Sequence, residues 1–224
     1  MTFSVVARCT ETGQLGIAIS SSSIAVGARC PWLRPGVGAV ASQNITLPSL
    51  GPQVLDLLEQ GATPGEALAA MAGQAHSEYR QVTVIDSQGR TAHFSGAQTL
   101  GIHGAVSGEQ CVAAGNMLAA PGVIDAMVRA FENAAGPLAD RLLAALHTGQ
   151  ARGGEAGPVH SAALVVVDDL LWPIVNLRVD WAEEDPIGAL DQLWQAYRGQ
   201  SQAYIDRALN PHVAPGYAVP GDDR

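Results

Sequence analysis

The second residue of the chain is a threonine, and both its type and its place suggest a chemistry. Methionine aminopeptidases remove an initiator methionine when a small residue follows, so processing would leave Thr2 carrying a hydroxyl and a free α-amine. Such an amine titrates near ~7.7–8.0, so a useful fraction is unprotonated at neutral pH. It can take the proton of its own hydroxyl, directly or through water, as the oxygen attacks a carbonyl. Nucleophile and base then share one residue, and no Ser-His-Asp set is required. The apolar segment that follows, Phe3 to Cys9, reads as a strand that would hold Thr2 rigidly. Two other nucleophiles compete. Cys9 and Cys30 lie in apolar elements, where a thiol is either an inert core residue or the nucleophile of a cysteine hydrolase. Ser20 to Ser23 form a run of hydroxyls after a strand, either a polar loop or the lining of a pocket.

Composition narrows the field. The chain has 224 residues, 12 basic and 21 acidic, for a net charge of −9. Every basic residue is arginine. The absence of lysine excludes Schiff-base chemistry, lysine-anchored pyridoxal phosphate and a P-loop, each of which needs an amine side chain. The acidic balance argues against nucleic-acid binding. No apolar run reaches the ~18 residues of a membrane span, and MTFSVVARC, with no basic region ahead of an apolar stretch, does not read as a signal peptide. Three cysteines without a CxxC spacing point to a reducing cytoplasm rather than a disulfide or zinc scaffold. Gly36, Gly38 and Ala41 match a dinucleotide-binding pattern, but they follow Pro-Trp-Leu-Arg-Pro and read as a strand entry. HExxH and GxSxG are both absent.

The elements that must position Thr2 are hairpins separated by helices. Phe3 to Cys9 and Leu15 to Ser20 flank a turn at Thr10–Gly13. Val82 to Asp86 pairs with Arg90 to Ser95, and Ser161 to Val167 with Trp172 to Val179. Pro173 lacks a ladder donor, which puts it at an edge or a strand start. Val37 to Ser42 is a further strand. Thr63-Pro64-Gly65-Glu66 is a capping box opening a helix through Ala72. Other helices start near Pro52, Pro121 and Pro137, the last stopping at Gly149. Asp185-Pro186 opens one with Ile187, Leu190, Trp194 and Tyr197 along one face. The pattern predicts an α+β fold of two packed, mainly antiparallel sheets with helices outside. One domain over 1–210 is expected, followed by an extended or mobile Pro/Gly-rich tail over 211–224. A domain of this size buries roughly 70% of its unfolded surface and needs no staples.

The segments TFSVVA with TGQLGIAIS, AVGARCPW with GVGAVASQN, EYRQVTVID, AAGNML, SAALVVV and RVD together resemble the bacterial DUF1028 family. That family, a domain of unknown function, is grouped with the N-terminal-nucleophile (Ntn) hydrolase-like proteins. The resemblance runs from Thr2 to the helix near Trp194. It implies a four-layer αββα sandwich, and it implies amide-bond hydrolysis. By the resemblance, Thr2 takes the place of the leading hydroxyl residue and Ser21 that of the serine after the second strand. The next position, where the resemblance leads to an expected lysine or histidine, is Ser22.

Further residues follow from the same resemblance. Gln43 and Asn44 end the GVGAVAS strand, where polar side chains can face a site. Arg80 and Gln81 match an RQ pair, in which the arginine either binds substrate or serves a structural ion pair. Asn116 of GNML either donates to an oxyanion or forms a turn. Asp180 orients the amine, pairs an arginine, or simply ends its strand. Arg34, Arg80 and Arg152 are candidate carboxylate clamps. His93 and His160 read as half-buried strand histidines.

The expected function is therefore an Ntn-type hydrolase of a small amide, imide or short peptide, with Thr2 as nucleophile. No metal or organic cofactor, nucleic acid or membrane is implied, and a homo-oligomer is expected. Trp172, Trp181 and Trp194 are candidates for its interface or for the core. The competing expectation is a sandwich without catalysis, serving as a binding or assembly module.

Overall fold

A computed structural model describes residues 2–221. Ten strands form two sheets in which every pairing is antiparallel. The larger sheet holds β1 (Thr2–Arg8), β2 (Leu15–Ser21), β7 (Gly104–Gly108), β8 (Cys111–Asn116), β9 (Ser161–Val167) and β10 (Val175–Val179), in the order β10-β9-β2-β1-β8-β7. The smaller holds β3 (Pro31–Arg34), β4 (Gly38–Asn44), β5 (Arg80–Asp86) and β6 (Thr91–Ser95), in sequence order. Helices α3 (Val123–Asn133), α4 (Leu138–Ala151) and α5 (Pro186–Arg198) cover the outer face of the larger sheet. Helices α1 (Leu50–Glu59) and α2 (Pro64–Ala72) cover that of the smaller. The fold is the expected αββα sandwich.

Three apolar layers hold it together. A strand presents alternate side chains to opposite faces. In β1, Phe3, Val5 and Ala7 pack toward the helices, whereas Val6 packs into the gap between the sheets. Thr2 and Ser4 share the face of Val6. The gap is lined by Leu15, Ile17, Ile19, Ile85 and Val112 over most of its length. At the end where β1 begins, it turns polar. Strand β9 is buried throughout, as its unbroken apolar run predicts. Pro173 lies just ahead of edge strand β10, so its missing donor costs no ladder bond.

The helix signals act as their chemistry dictates. The Thr63 hydroxyl accepts from Glu66 N–H, the Glu66 carboxylate accepts from Thr63 N–H, and Pro64 opens α2. Replacing Thr63 with Ala should cost about 1 kcal/mol, the usual value of such a cap, read as a lowered midpoint in urea unfolding. Asp185 caps α5 by accepting from Gly188 N–H. Ile187, Leu190 and Trp194 are buried, so Trp194 is a core residue, whereas Trp172 is exposed.

Four readings of the sequence need correction. Helix α4 does not stop at Gly149 but runs through it to Ala151. Gly149 is there for close packing: a Cβ would stand 2.8 Å from Met127 Sδ. Strands β3 and β7 were not expected, because one starts on proline and the other is a short, half-exposed Gly-Ala-Val-Ser-Gly segment. Helix α6 (Ser201–Leu209) was also missed, having no buried residue to mark it. The tail is not simply extended. Arg207 donates to the Pro215 and Gly216 carbonyls, and its guanidinium lies 3.9 Å from the Tyr217 ring centroid. Residues 222–224 of that tail lie outside the described residues.

Candidate active site

The register carries Thr2 into a polar cluster. Thr2 pairs with Asn116 across β1 and β8, Phe3 pairs with Ser20 across β1 and β2, and Gln43 pairs with Gln81 across β4 and β5. Thr2, Ser4, Ser21, Gln43, Gln81 and Asn116 are all buried at this end of the gap. Thr2 Oγ1 lies 3.3 Å from Ser21 Oγ. The Ser21–Ala25 loop is pinned by Ser161, whose hydroxyl donates to Ser23 O and accepts from Val26 N–H. Ser23 N–H in turn donates to Ser21 Oγ. Part of the serine run thus organises a loop, while Ser21 touches Thr2.

Beneath Thr2 the three amide side chains lock one another. Gln81 Nε2 donates to the Gly115 carbonyl at 3.0 Å and to Ser95 Oγ at 3.1 Å. A carbonyl only accepts, which fixes the orientation of the Gln81 amide. Its Oε1 then accepts from Gln43 Nε2 at 2.8 Å and from Asn116 Nδ2 at 3.0 Å. Ser4 Oγ completes the chain by donating to Gln43 Oε1 at 2.7 Å. The same logic leaves Asn116 Oδ1 buried with no donor among the described residues. Buried polar atoms rarely lack a partner, and such an exception calls for a reason.

The remaining expected residues sit further out. Asn44 Nδ2 donates to Tyr79 O and its Oδ1 accepts from Leu100 N–H, so it ties two rim loops together. Arg80 donates to the Ile45 carbonyl rather than to a carboxylate. Asp180 pairs with Arg178 at 2.9 Å on the surface. Arg34 bridges Asp56 and Glu59, away from the gap. Trp181 stacks on His160 with centroids 4.3 Å apart.

One residue was missed. Glu155 is only 4% exposed. Two glycines in left-handed conformations, Gly153 and Gly154, turn the chain from α4 into it. Ala119 N–H donates to Gly154 O and Ala156 N–H to Met117 O, so Glu155 sits opposite Leu118 on the continuation of β8. Its carboxylate reaches the other way, where Ser22 N–H lies 3.2 Å from each oxygen. Since β1 lies between β2 and β8, Glu155 spans the end of the sheet at the start of β1. Desolvation pushes its carboxyl up to about 7, against the pull of the chain's positive N-terminus and the hydrogen bonds from Ser22. No ion-pair partner for it occurs among the described residues. In sequence it is one glutamate in a glycine-rich loop, with no periodicity to betray its burial.

The cysteines stand apart. Cys30 belongs to the layer between the sheets, and burial pushes its thiol up to about 11. Burial likewise raises Cys111 to about 12. Cys9 differs: burial raises it, but hydrogen bonds at Thr12 outweigh this and leave it lowered. It lies at the opposite end of β1 from Thr2, ~20 Å away at strand rise. A raised thiol stays protonated at pH 8, so iodoacetamide should label Cys9 first and reach Cys30 and Cys111 only on unfolding. Peptide mass mapping reads the order.

Among the described residues no cluster of three or more His, Cys, Asp or Glu is placed to hold a metal. No described helix is long and apolar enough to cross a membrane. A groove of about 280 Å³ lies by α4 and α5, but neither a cysteine, a histidine nor a carboxylate lines it.

The fold and the site define a two-sheet αββα protein with a hydroxyl cluster at the head of its first strand. The chain belongs to the family of unknown function DUF1028, whose model matches residues 2–190. A crystal structure of a DUF1028 protein from Silicibacter pomeroyi is similar at 33% identity and a TM-score of 0.85, covering 91% of this chain and 89% of that one. An Anbu (ancestral beta-subunit) from Yersinia bercovieri aligns over 97% of this chain and 100% of its own, at 11% identity and a TM-score of 0.39. No curated protein matches.

Proposed function

We propose that the protein is an Ntn-type hydrolase of a small amide, imide or short peptide, with Thr2 as nucleophile once Met1 is removed. The observation that carries this reading is the buried contact of Thr2 Oγ1 with Ser21 Oγ at the polar end of the gap. As Thr2 Oγ1 bonds to the substrate carbonyl carbon, its proton passes to the α-amine. The resulting ammonium gives a proton to the leaving nitrogen as the C–N bond breaks. Water then attacks the ester carbon, its proton goes to the amine, and Oγ1 leaves and is reprotonated. Asn116 has a second Nδ2 hydrogen beyond the one given to Gln81, and this or a backbone N–H would donate to the oxyanion. Ser21 orients the Thr2 hydroxyl. Gln43 supports the site from within, while Asn44, Arg80 and Asp180 are the groups a substrate would meet on approach.

Thr2 is only 4% exposed in the full chain, and the reading requires its hydroxyl to be reachable in the processed one. Intact mass tests this directly, together with a screen of small amides, imides and dipeptides. A chain lacking Met1 that turns over one of these supports the reading. Retained methionine and no turnover favour the non-catalytic binding or assembly module.

A further inference from the structure

We infer that Glu155, with Asn116 Oδ1, seats the α-ammonium of processed Thr2; the inference rests on the Thr2 reading above. Two acceptors at the head of β1 lack donors of matching charge or number. Glu155 is a buried carboxylate whose hydrogen-bond donors among the described residues are the backbone N–H and the side chain of one neutral residue, Ser22. Asn116 Oδ1 is buried, held in place through Gln81, and has no partner among the described residues. A buried carboxylate is costly unless a cation joins it, and no arginine among the described residues supplies one. Two charges act on Glu155: the positive N-terminus of the chain first, and then His160, whose Nδ1 is engaged with the Ala182 carbonyl and whose ring stacks on Trp181.

Thr2 begins β1, between Ser21 of β2 and Asn116 of β8. Glu155 crosses from the β8 side to Ser22 on the β2 side. Its charge and the Asn116 oxygen therefore flank the position where processing creates a primary ammonium with three N–H donors. Glu155 acts as a positioning residue: its carboxylate form, which an adjoining ammonium favours, aims the amine at Oγ1 and stabilises the ammonium formed when the hydroxyl proton arrives.

The test is Glu155→Gln in the full-length, processed protein. Glutamine keeps an acceptor for Ser22 N–H and removes the charge, so folding should survive. The α-amine titration is followed by NMR on threonine-labelled protein. Loss of a neighbouring carboxylate should lower the amine pKa by about one unit or more, and the acid limb of the kcat/KM profile should move down with it. An unchanged amine pKa in a processed E155Q chain, with wild-type turnover intact, overturns this inference alone. An intact mass that retains Met1 overturns it together with the Thr2 reading.

Discussion

Thr2→Ala should abolish turnover, by about 10³-fold or more, while leaving the fold and the N-terminal processing unchanged. Alanine is as small as processing requires, so Met1 is removed from both chains and the amine is present in both. Only the hydroxyl differs. Thr2→Ser restores an oxygen at the same place and should retain measurable activity. Circular dichroism and intact mass serve as controls, and the assay uses whichever amide, imide or dipeptide the wild type cleaves. Equal rates in wild type and T2A would remove Thr2 from the mechanism. The expected loss is large because the other oxygens beside Thr2 are tied into structure: Ser21 Oγ accepts from Ser23 N–H, and Ser4 Oγ is spent on Gln43.

Gln81→Leu should be the most damaging single substitution to stability. The side chain is fully buried and joins both sheets, donating to Gly115 of the larger one and accepting from Gln43 of the smaller. Leucine matches its volume but leaves Gln43 Nε2, Asn116 Nδ2 and the Gly115 carbonyl without their partner. Each buried orphan costs ~1–3 kcal/mol, so the sum is about 3–5 kcal/mol after some relaxation. For a chain of this length that is a fall in melting temperature of roughly 10 °C. Calorimetry measures it. A loss below about 1 kcal/mol would show that the amides do not hold one another as the geometry requires.

Much of the framework was legible from local chemistry. The β1–β2 hairpin, the Thr63 box and the Asp185 cap are all set by residues within a few positions of one another. Strands β3 and β7 were hidden because their pairing partners, β4 and β8, decide them, and a Pro-Trp-Leu-Arg or Gly-Ala-Val-Ser-Gly segment carries little preference of its own. The site was legible as residue types: Thr2, Ser21, Gln43, Gln81 and Asn116 meet, although only the register explains why. The alternation that puts Thr2 and Ser4 on the face of Val6 was readable in principle from the period of two. Glu155 was not, because its burial depends on a glycine turn and on a strand bridge to Leu118 that no spacing announces. Arg80 and Asp180 were picked out by the resemblance, and which contacts they make, a backbone carbonyl for one and Arg178 for the other, is set by neighbours that no local pattern announces.

The head of β1 lies in the middle of the larger sheet, hemmed by β2 and β8, and this bears on how the protein should be produced. An affinity tag or cleavage scar fused ahead of Thr2 would acylate the very nitrogen that the proposed chemistry needs. Such a preparation could fold perfectly well and still be inert in every assay. Purification handles belong at the carboxyl end.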